Sequence, residues 1–280
     1  MSESVWSGEQ LDLDAYLERI GYAGDRAPTL ETLRALQAAH VTAIGFENID
    51  VLLGRPVALD VPSLQDKLVG AGRGGYCYEH NLLFAAALER LGFAVSGLGA
   101  RIRMGEETIR PTTHALLKVR LDGADWITDT GFGGEALLAP LPLVEGYQER
   151  QGGWTFGLVR RDPEEPGGER TWVVRSLHPD GWFDLYSFGS EARYPADFAV
   201  VSHYMATHPR SPFVQRLVVQ RPDHGLRRTL IGTELTLTGT DYARDVREVA
   251  AAELPRVLAE VFRITLTDAD EKTLVGWYGH

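Results

Sequence analysis

Arg73-Gly74-Gly75-Tyr76-Cys77-Tyr78-Glu79-His80-Asn81, running directly into LLFAAALERLG (82–92), is the most informative stretch of this chain. Two glycines permit a tight turn and a close backbone approach. Glu79–Leu91 is dense in strong helix formers, and Gly92 is placed to cap it. Cys77 thus falls where a turn becomes a helix. A thiol there meets the positive end of the helix dipole and unpaired N–H groups, which favour a thiolate and offer donors to an oxyanion. The plainer reading of a lone thiol is a packed core residue, since free cysteine is often buried.

Upstream of this stretch the chain reads as helical. Leu13, Tyr16, Leu17 and Ile20 share one helical face, Thr29 caps a helix carrying Leu30, Leu33 and Leu36, and Ser63 caps a short third helix with Leu64 and Leu68. From about residue 94 the period changes to short β-forming stretches: Thr113–Leu121, Trp126–Thr130, Trp154–Arg160, Trp172–Arg175 and Trp182–Phe188. Five or six consecutive strands suggest an antiparallel barrel or sandwich. DPEEPGGER (162–170) has the composition of an exposed loop. Pro195 to about Ala206 reads as a connecting helix ended by His208-Pro209. Strands follow near Arg216–Gln220, Arg228–Ile231 and Glu234–Thr238, then a helix at Leu254–Phe262 and a short end.

A thiolate nucleophile needs a base, and the chain has eight histidines. His80 lies too close to Cys77 on the same helix to face it. His114 differs, because it opens a strand whose hairpin partner carries Asp129. The connection contains Asp122-Gly123, a two-residue hairpin signal. With that turn Leu121 faces Ala124, Leu116 faces Asp129, and His114 lies diagonal to Asp129 on the same face, roughly 7–8 Å away between backbones. Taken alone, such a pair is more often an ordinary exposed one. Taken with Cys77 it forms a nucleophile, base and orienting acid in a chain order known for thiol chemistry. Thr130-Gly131-Phe132-Gly133-Gly134 follows; its glycines let a bulky ligand approach the backbone, or simply form a turn.

Composition limits the other possibilities. The 280 residues favour two or three compact units, and 44% apolar content builds a sizeable core. An excess of 39 Asp and Glu over 28 Lys and Arg, formally −11, disfavours nucleic acid or an anionic membrane as the main partner. No segment is apolar enough to span a bilayer and the N-terminus lacks a signal pattern, which points to the cytoplasm. One cysteine makes neither an internal disulfide nor a cysteine zinc site. HExxH, CxxC, GxSxG, Walker A and GxGxxG patterns are all missing, so metal hydrolysis, serine hydrolysis and dinucleotide chemistry have no sequence support and no metal is expected.

RGGYCYEHN (73–81), TTHALLKV (112–119), DTGFGG (129–134), THPRSPF (207–213) and GFENID (45–50) together resemble the arylamine N-acetyltransferase family in order and spacing. The resemblance covers about residues 45 to 213, with Thr130 standing where the family usually has Val or Ala. It implies an α+β fold: an N-terminal helical domain (1–93), a central antiparallel β-barrel (94–195), a connecting helix and loop (196–214) and a C-terminal α/β lid (215–280), with a Cys-His-Asp core of the cysteine-protease type. It also implies roles. Cys77 matches the acetyl-accepting cysteine, His114 the histidine and Asp129 the aspartate. Phe46 and Phe132 match acceptor-pocket positions, and Arg73, Glu79 and Asn81 brace the catalytic turn. Thr113, Gly133, Tyr204 and Ser211 are the expected coenzyme A contacts. The implied reaction is ping-pong acetyl transfer from acetyl-CoA, a co-substrate rather than a permanent cofactor, to small aromatic amines, hydrazines or hydroxylamines, by a monomer or homodimer. A thiol hydrolase or transglutaminase-like enzyme, or a binding module with an inert triad, are the alternatives that the residues leave open.

Overall fold

The computed structural model describes residues 4–163 and 168–279. The first third is helical: α1 (Leu13–Arg19), α2 (Leu30–Ala43), a two-residue strand β1 (Phe46–Glu47), α3 (Ile49–Leu52), α4 (Val61–Leu64), which continues as a π turn over Gln65–Gly70, and α5 (Cys77–Arg90). Thr29 caps α2 by accepting from the Thr32 N–H at 3.2 Å. The cap expected of Ser63 belongs instead to Asp60, whose carboxylate accepts the Ser63 N–H at 2.9 Å. Asp60 is favoured because Pro62 occupies the first turn, where a missing N–H costs nothing. Helix α5 is buried without a break from Cys77 to Leu88 and forms the axis of the first core, with Leu33, Leu36, Leu64 and Leu68 around it. Each leucine so buried contributes about 1.5–3 kcal/mol.

Eight strands follow: β2 (Ala94–Ile102), β3 (Thr112–Leu121), β4 (Ala124–Thr128), β5 (Leu141–Pro142), β6 (Gln148–Gln151), β7 (Trp154–Arg161), β8 (Thr171–His178) and β9 (Gly181–Arg193). They form one antiparallel sheet in the order β5-β4-β3-β2-β9-β8-β7-β6, curled into a nearly closed barrel. Of the loop expected at 162–170, residues 164–167 lie outside the described residues. Strand β3 is buried on both faces: Ala115, Leu117 and Val119 pack on α5, while Leu116 joins Leu98, Ile127, Phe156 and Tyr186 inside the barrel. The β3–β4 turn has φ of 50° at Asp122 and 79° at Gly123, the left-handed pair of a two-residue hairpin, and Leu121 pairs with Ala124. The strand expected to run through Thr130 ends at Thr128, because Asp129 turns its carboxylate away to helix α5.

Helix α6 (Pro195–Thr207) and the short α7 (Pro212–Gln215) lead to a second antiparallel sheet built from β10 (Val218–Pro222), β11 (Leu226–Ile231), β12 (Glu234–Gly239) and β13 (Arg244–Glu248). Its other edge is β1, with Phe46 paired to Gln220. Helix α8 (Leu254–Phe262) buries Leu254, Val257, Leu258 and Phe262 against this sheet, and α9 (Asp268–Tyr278) closes the chain. Two of these elements go beyond the sequence expectation. Strand β13 is exposed throughout and so carries no alternation to read. The expected short end is α9, an eleven-residue helix capped by Thr267 that buries only Asp270 and Leu274. No helix among the described residues is long and apolar enough to cross a membrane.

Candidate active site

Cys77 is the first residue of α5, so the unpaired N–H groups of that helix start surround it. Tyr76 N–H is satisfied by the Glu79 carboxylate at 2.9 Å, which closes the turn on itself. The sulfur lies 3.9 Å from the Thr113 carbonyl oxygen, and the next residue on that strand is His114. His114 Nε2 is 2.7 Å from Asp129 Oδ2. That bond leaves Nδ1 as the free ring nitrogen, and Cys77 lies close enough to raise the affinity of the ring for its proton.

Asp129 is fully buried, yet each of its oxygens is occupied. Oδ2 takes His114, and Oδ1 accepts Gly131 N–H at 2.9 Å and Asn81 Nδ2 at 3.1 Å. Burial pushes the Asp129 carboxyl up, but His114, the Gly131 N–H and Asn81 more than reverse it and hold it below the usual carboxylate range. His114 is the counterpart. Burial pushes it down, while Asp129 and then Cys77 outweigh burial, leaving it raised to about 10. The ring is therefore an imidazolium at neutral pH, paired with the Asp129 carboxylate.

Asn81 stands one helical turn beyond Cys77. Its amide also donates to the Ala115 carbonyl at 2.8 Å and accepts Thr130 N–H at 3.2 Å, so it ties β3, the 129–131 turn and α5 together. Arg73 Nη2 pairs with Glu47 Oε1 at 2.7 Å, and Glu79 pairs with Lys67 at 2.7 Å. Burial raises Glu79 to about 7 even though Lys67 pulls it down.

Beside this group lies a cavity of about 780 Å³, lined by Cys77, His114, Phe46, Phe132, Phe213 and Tyr204 among others. Phe132 meets the His114 ring edge-on with 5.3 Å between centroids, and Phe46 and Phe213 are 5.7 Å apart. Of the expected coenzyme contacts, Thr113, Tyr204 and Ser211 line the cavity. The Ser211 hydroxyl is already committed, donating to the Met205 carbonyl at 2.5 Å. Gly133 is not among the lining residues. Its φ is 86°, and a Cβ there would collide with Gln220, whose side chain instead accepts Gly134 N–H at 3.0 Å. The glycines at 131–134 thus serve the packing of the protein on itself: a Cβ on Gly131 would come within 2.6 Å of the Cys77 Cα.

Sequence reasoning missed three contributors. Tyr186 packs on His114 at 5.1 Å and Phe132 at 4.9 Å, with its hydroxyl near enough to Asp129 to feel the charge but outside hydrogen-bond geometry. Gln37 accepts the Thr128 hydroxyl at 2.7 Å beneath the same turn. Lys67 holds Glu79. Only the alternation of β9 hinted at an inward Tyr186; the other two depend on which helix meets which strand.

These features define a class before they define a member. Residues 29–271 match the family model described as N-acetyltransferase. The chain is 38% identical over 264 residues to the arylamine N-acetyltransferase of Mycolicibacterium smegmatis, covering 92% of this chain and 94% of that protein. Its fold superposes on the arylamine N-acetyltransferase of Mycobacterium abscessus with a TM-score of 0.95 and 40% identity, covering 100% and 99% of the two chains. It also superposes on the Mycobacterium marinum arylamine N-acetyltransferase in complex with CoA with a TM-score of 0.87 and 33% identity, covering 95% and 99%. The chain belongs to the arylamine N-acetyltransferase family.

Proposed function

We propose that this protein transfers an acetyl group from acetyl-CoA to the nitrogen of small aromatic amines, hydrazines or hydroxylamines, through a thioester on Cys77. The observation that carries this reading is the line Cys77, His114, Asp129 opening onto a cavity of about 780 Å³. The Cys77 thiolate, beside the His114 imidazolium, attacks the thioester carbonyl. The oxyanion faces the free N–H groups at the start of α5. The carbon–sulfur bond to coenzyme A breaks, and its sulfur takes the proton from His114 as it leaves. The amine then attacks the acetyl-Cys77 carbonyl, His114 accepts the amine proton, and Cys77 leaves as the thiolate it began as. Asp129 keeps the His114 proton on Nε2 and stabilises the cation throughout.

In this reading Phe46 and Phe132 form the wall against which a flat aryl ring stacks. Weakly basic aryl nitrogens suit the site because they stay unprotonated at neutral pH. Thr113, Tyr204 and Ser211, which line the same cavity, are the residues assigned to the coenzyme arm, and Gly133 shapes the adjoining loop. Arg73, Glu79 and Asn81 brace the turn. The cytoplasm, where a lone thiol stays reduced, suits such a reaction.

The test is an intact-mass measurement after mixing with acetyl-CoA alone. One added acetyl group, mapped to Cys77, absent in Cys77→Ser and discharged by an aromatic amine, is the expected result. Acetylation elsewhere, peptide cleavage, cross-linking or no reaction would each overturn it.

A further inference from the structure

His40, near the end of α2, and His80, in α5, are both buried, at 0% and 1% exposure, and they form a hydrogen-bonded series apart from the catalytic group. The Tyr16 hydroxyl lies 2.8 Å from His40 Nδ1, His40 Nε2 lies 2.9 Å from His80 Nδ1, and His80 Nε2 lies 3.1 Å from the Gly45 carbonyl oxygen. A carbonyl oxygen only accepts, so His80 carries its proton on Nε2 and accepts at Nδ1. His40 must then donate from Nε2 and accept at Nδ1, which makes Tyr16 a donor. In the neutral pair one arrangement of protons satisfies every group, and a second proton on His80 would oppose the His40 Nε2–H unless His40 changed tautomer.

The series ends at a mechanically sensitive place. Gly45 precedes Phe46, which lines the cavity. The Glu47 N–H donates to the Gly75 carbonyl at 2.8 Å, and a Cβ on Gly74 would run into the Gly45 carbonyl oxygen. The segment from Gly45 to Glu47 is therefore pressed against the glycine turn that delivers Cys77. Building on the acyl-transfer reading above, we propose that His40 and His80 are positioning residues, a neutral imidazole pair that hangs the Gly45–Phe46 segment from the nucleophile's own helix and sets the acceptor wall relative to Cys77.

The surroundings keep the pair neutral. Burial comes first and holds His40 well below the ordinary histidine value and His80 down to about 4. The charged groups bearing on His40 are His80 and Arg19, which act in the same direction. On His80, the Gly45 and Gly75 carbonyls and Asp129 oppose burial, while Lys67 reinforces it. Tyr16 is itself raised by burial and keeps its proton.

Nitrogen-15 NMR of the eight histidines in the whole protein between pH 8 and 5 tests this directly. Two rings locked as the Nε2–H neutral tautomer across that range are expected. A proton on Nδ1 of either ring, or ordinary titration of either, overturns the proposal. Steady-state kinetics gives a second readout. His80→Phe removes the donor to Gly45 and is expected to raise KM for an aromatic amine about tenfold, the worth of one hydrogen bond. His80→Gln, which keeps an N–H within reach of that carbonyl, is expected to return KM to within about threefold. Equal KM in the two variants, or a lower melting temperature with KM unchanged, overturns it. A wild-type protein with no acyl transfer would defeat the functional reading alone, since the NMR result stands without activity.

Discussion

Asn81 and Asp129 share a 3.1 Å hydrogen bond between helix α5, which begins at Cys77, and the carboxylate that also meets His114. Asn81→Asp would set a second carboxylate against Asp129 in a buried site, where like charges raise one another. This variant is expected to lose more activity than Asn81→Ala, although it is closer in shape. Asn81→Ala leaves the Ala115 carbonyl and Thr130 N–H without their partner, at a cost of about 1–3 kcal/mol. Thermal melts and acetyl-transfer assays on both variants check the order.

Asp129→Asn keeps the volume but offers His114 the wrong hydrogen-bonding partner. A loss of roughly 10⁴-fold in turnover with the fold intact is expected, by comparison with the equivalent change in a serine triad. Near-normal turnover, measured alongside circular dichroism, would show that the 2.7 Å contact does not orient the base.

His114 links stability to pH. Its folded value is raised to about 10, from about 6.5 in an unfolded chain. A raised value means that the contribution is fully present below pH 6.5 and is lost as the pH climbs through 10. Urea denaturation of the wild type is therefore expected to show stability falling from pH 7 to 10, by at most about 1.4 kcal/mol per pH unit more than His114→Phe. Equal slopes in the two proteins would exclude the ion pair.

Gly74 and Gly72 form a matched pair of tests. A methyl on Gly74 meets the Gly45 backbone carbonyl, and about 3 kcal/mol, the upper end of the cost of overpacking, is expected to be lost. Gly72 has φ of 64° and open space around it, so Gly72→Ala costs only its left-handed backbone, about 1–2 kcal/mol. Chemical denaturation of both alanine variants separates crowding from conformation.

Much of this architecture was legible because local rules decide it. The run from Glu79 to Leu91 reads as a helix by composition, and the helix spans Cys77–Arg90. Asp122-Gly123 sets the register between β3 and β4, and that register brings His114 and Asp129 to one side. What was not legible depends on contact between distant segments. Gln37 meets Thr128 across 91 residues of sequence. Asp129 leaves its strand early because an asparagine from α5 captures its carboxylate, and no property of the stretch Trp126–Thr130 announces that. His80 was set aside as a base for Cys77 by its spacing, and the structure turns it toward His40; that His40 would meet it there was not visible in either helix alone.

Strand β1 has a consequence for the order in which the protein is made. Asn48, just beyond it, accepts a hydrogen bond at 2.7 Å from Val218 N–H, 170 residues downstream, and Phe46 itself pairs with Gln220. At ~5–20 residues per second, a ribosome that has finished this strand needs on the order of ten to thirty seconds to deliver its partner. For that interval the emerging chain holds the motif around Cys77 while one wall of its cavity has nothing to pair with. A polypeptide stalled or cleaved before Val218 would carry Cys77, His114 and Asp129 in full and still leave β1 without the strand that joins it to the second sheet.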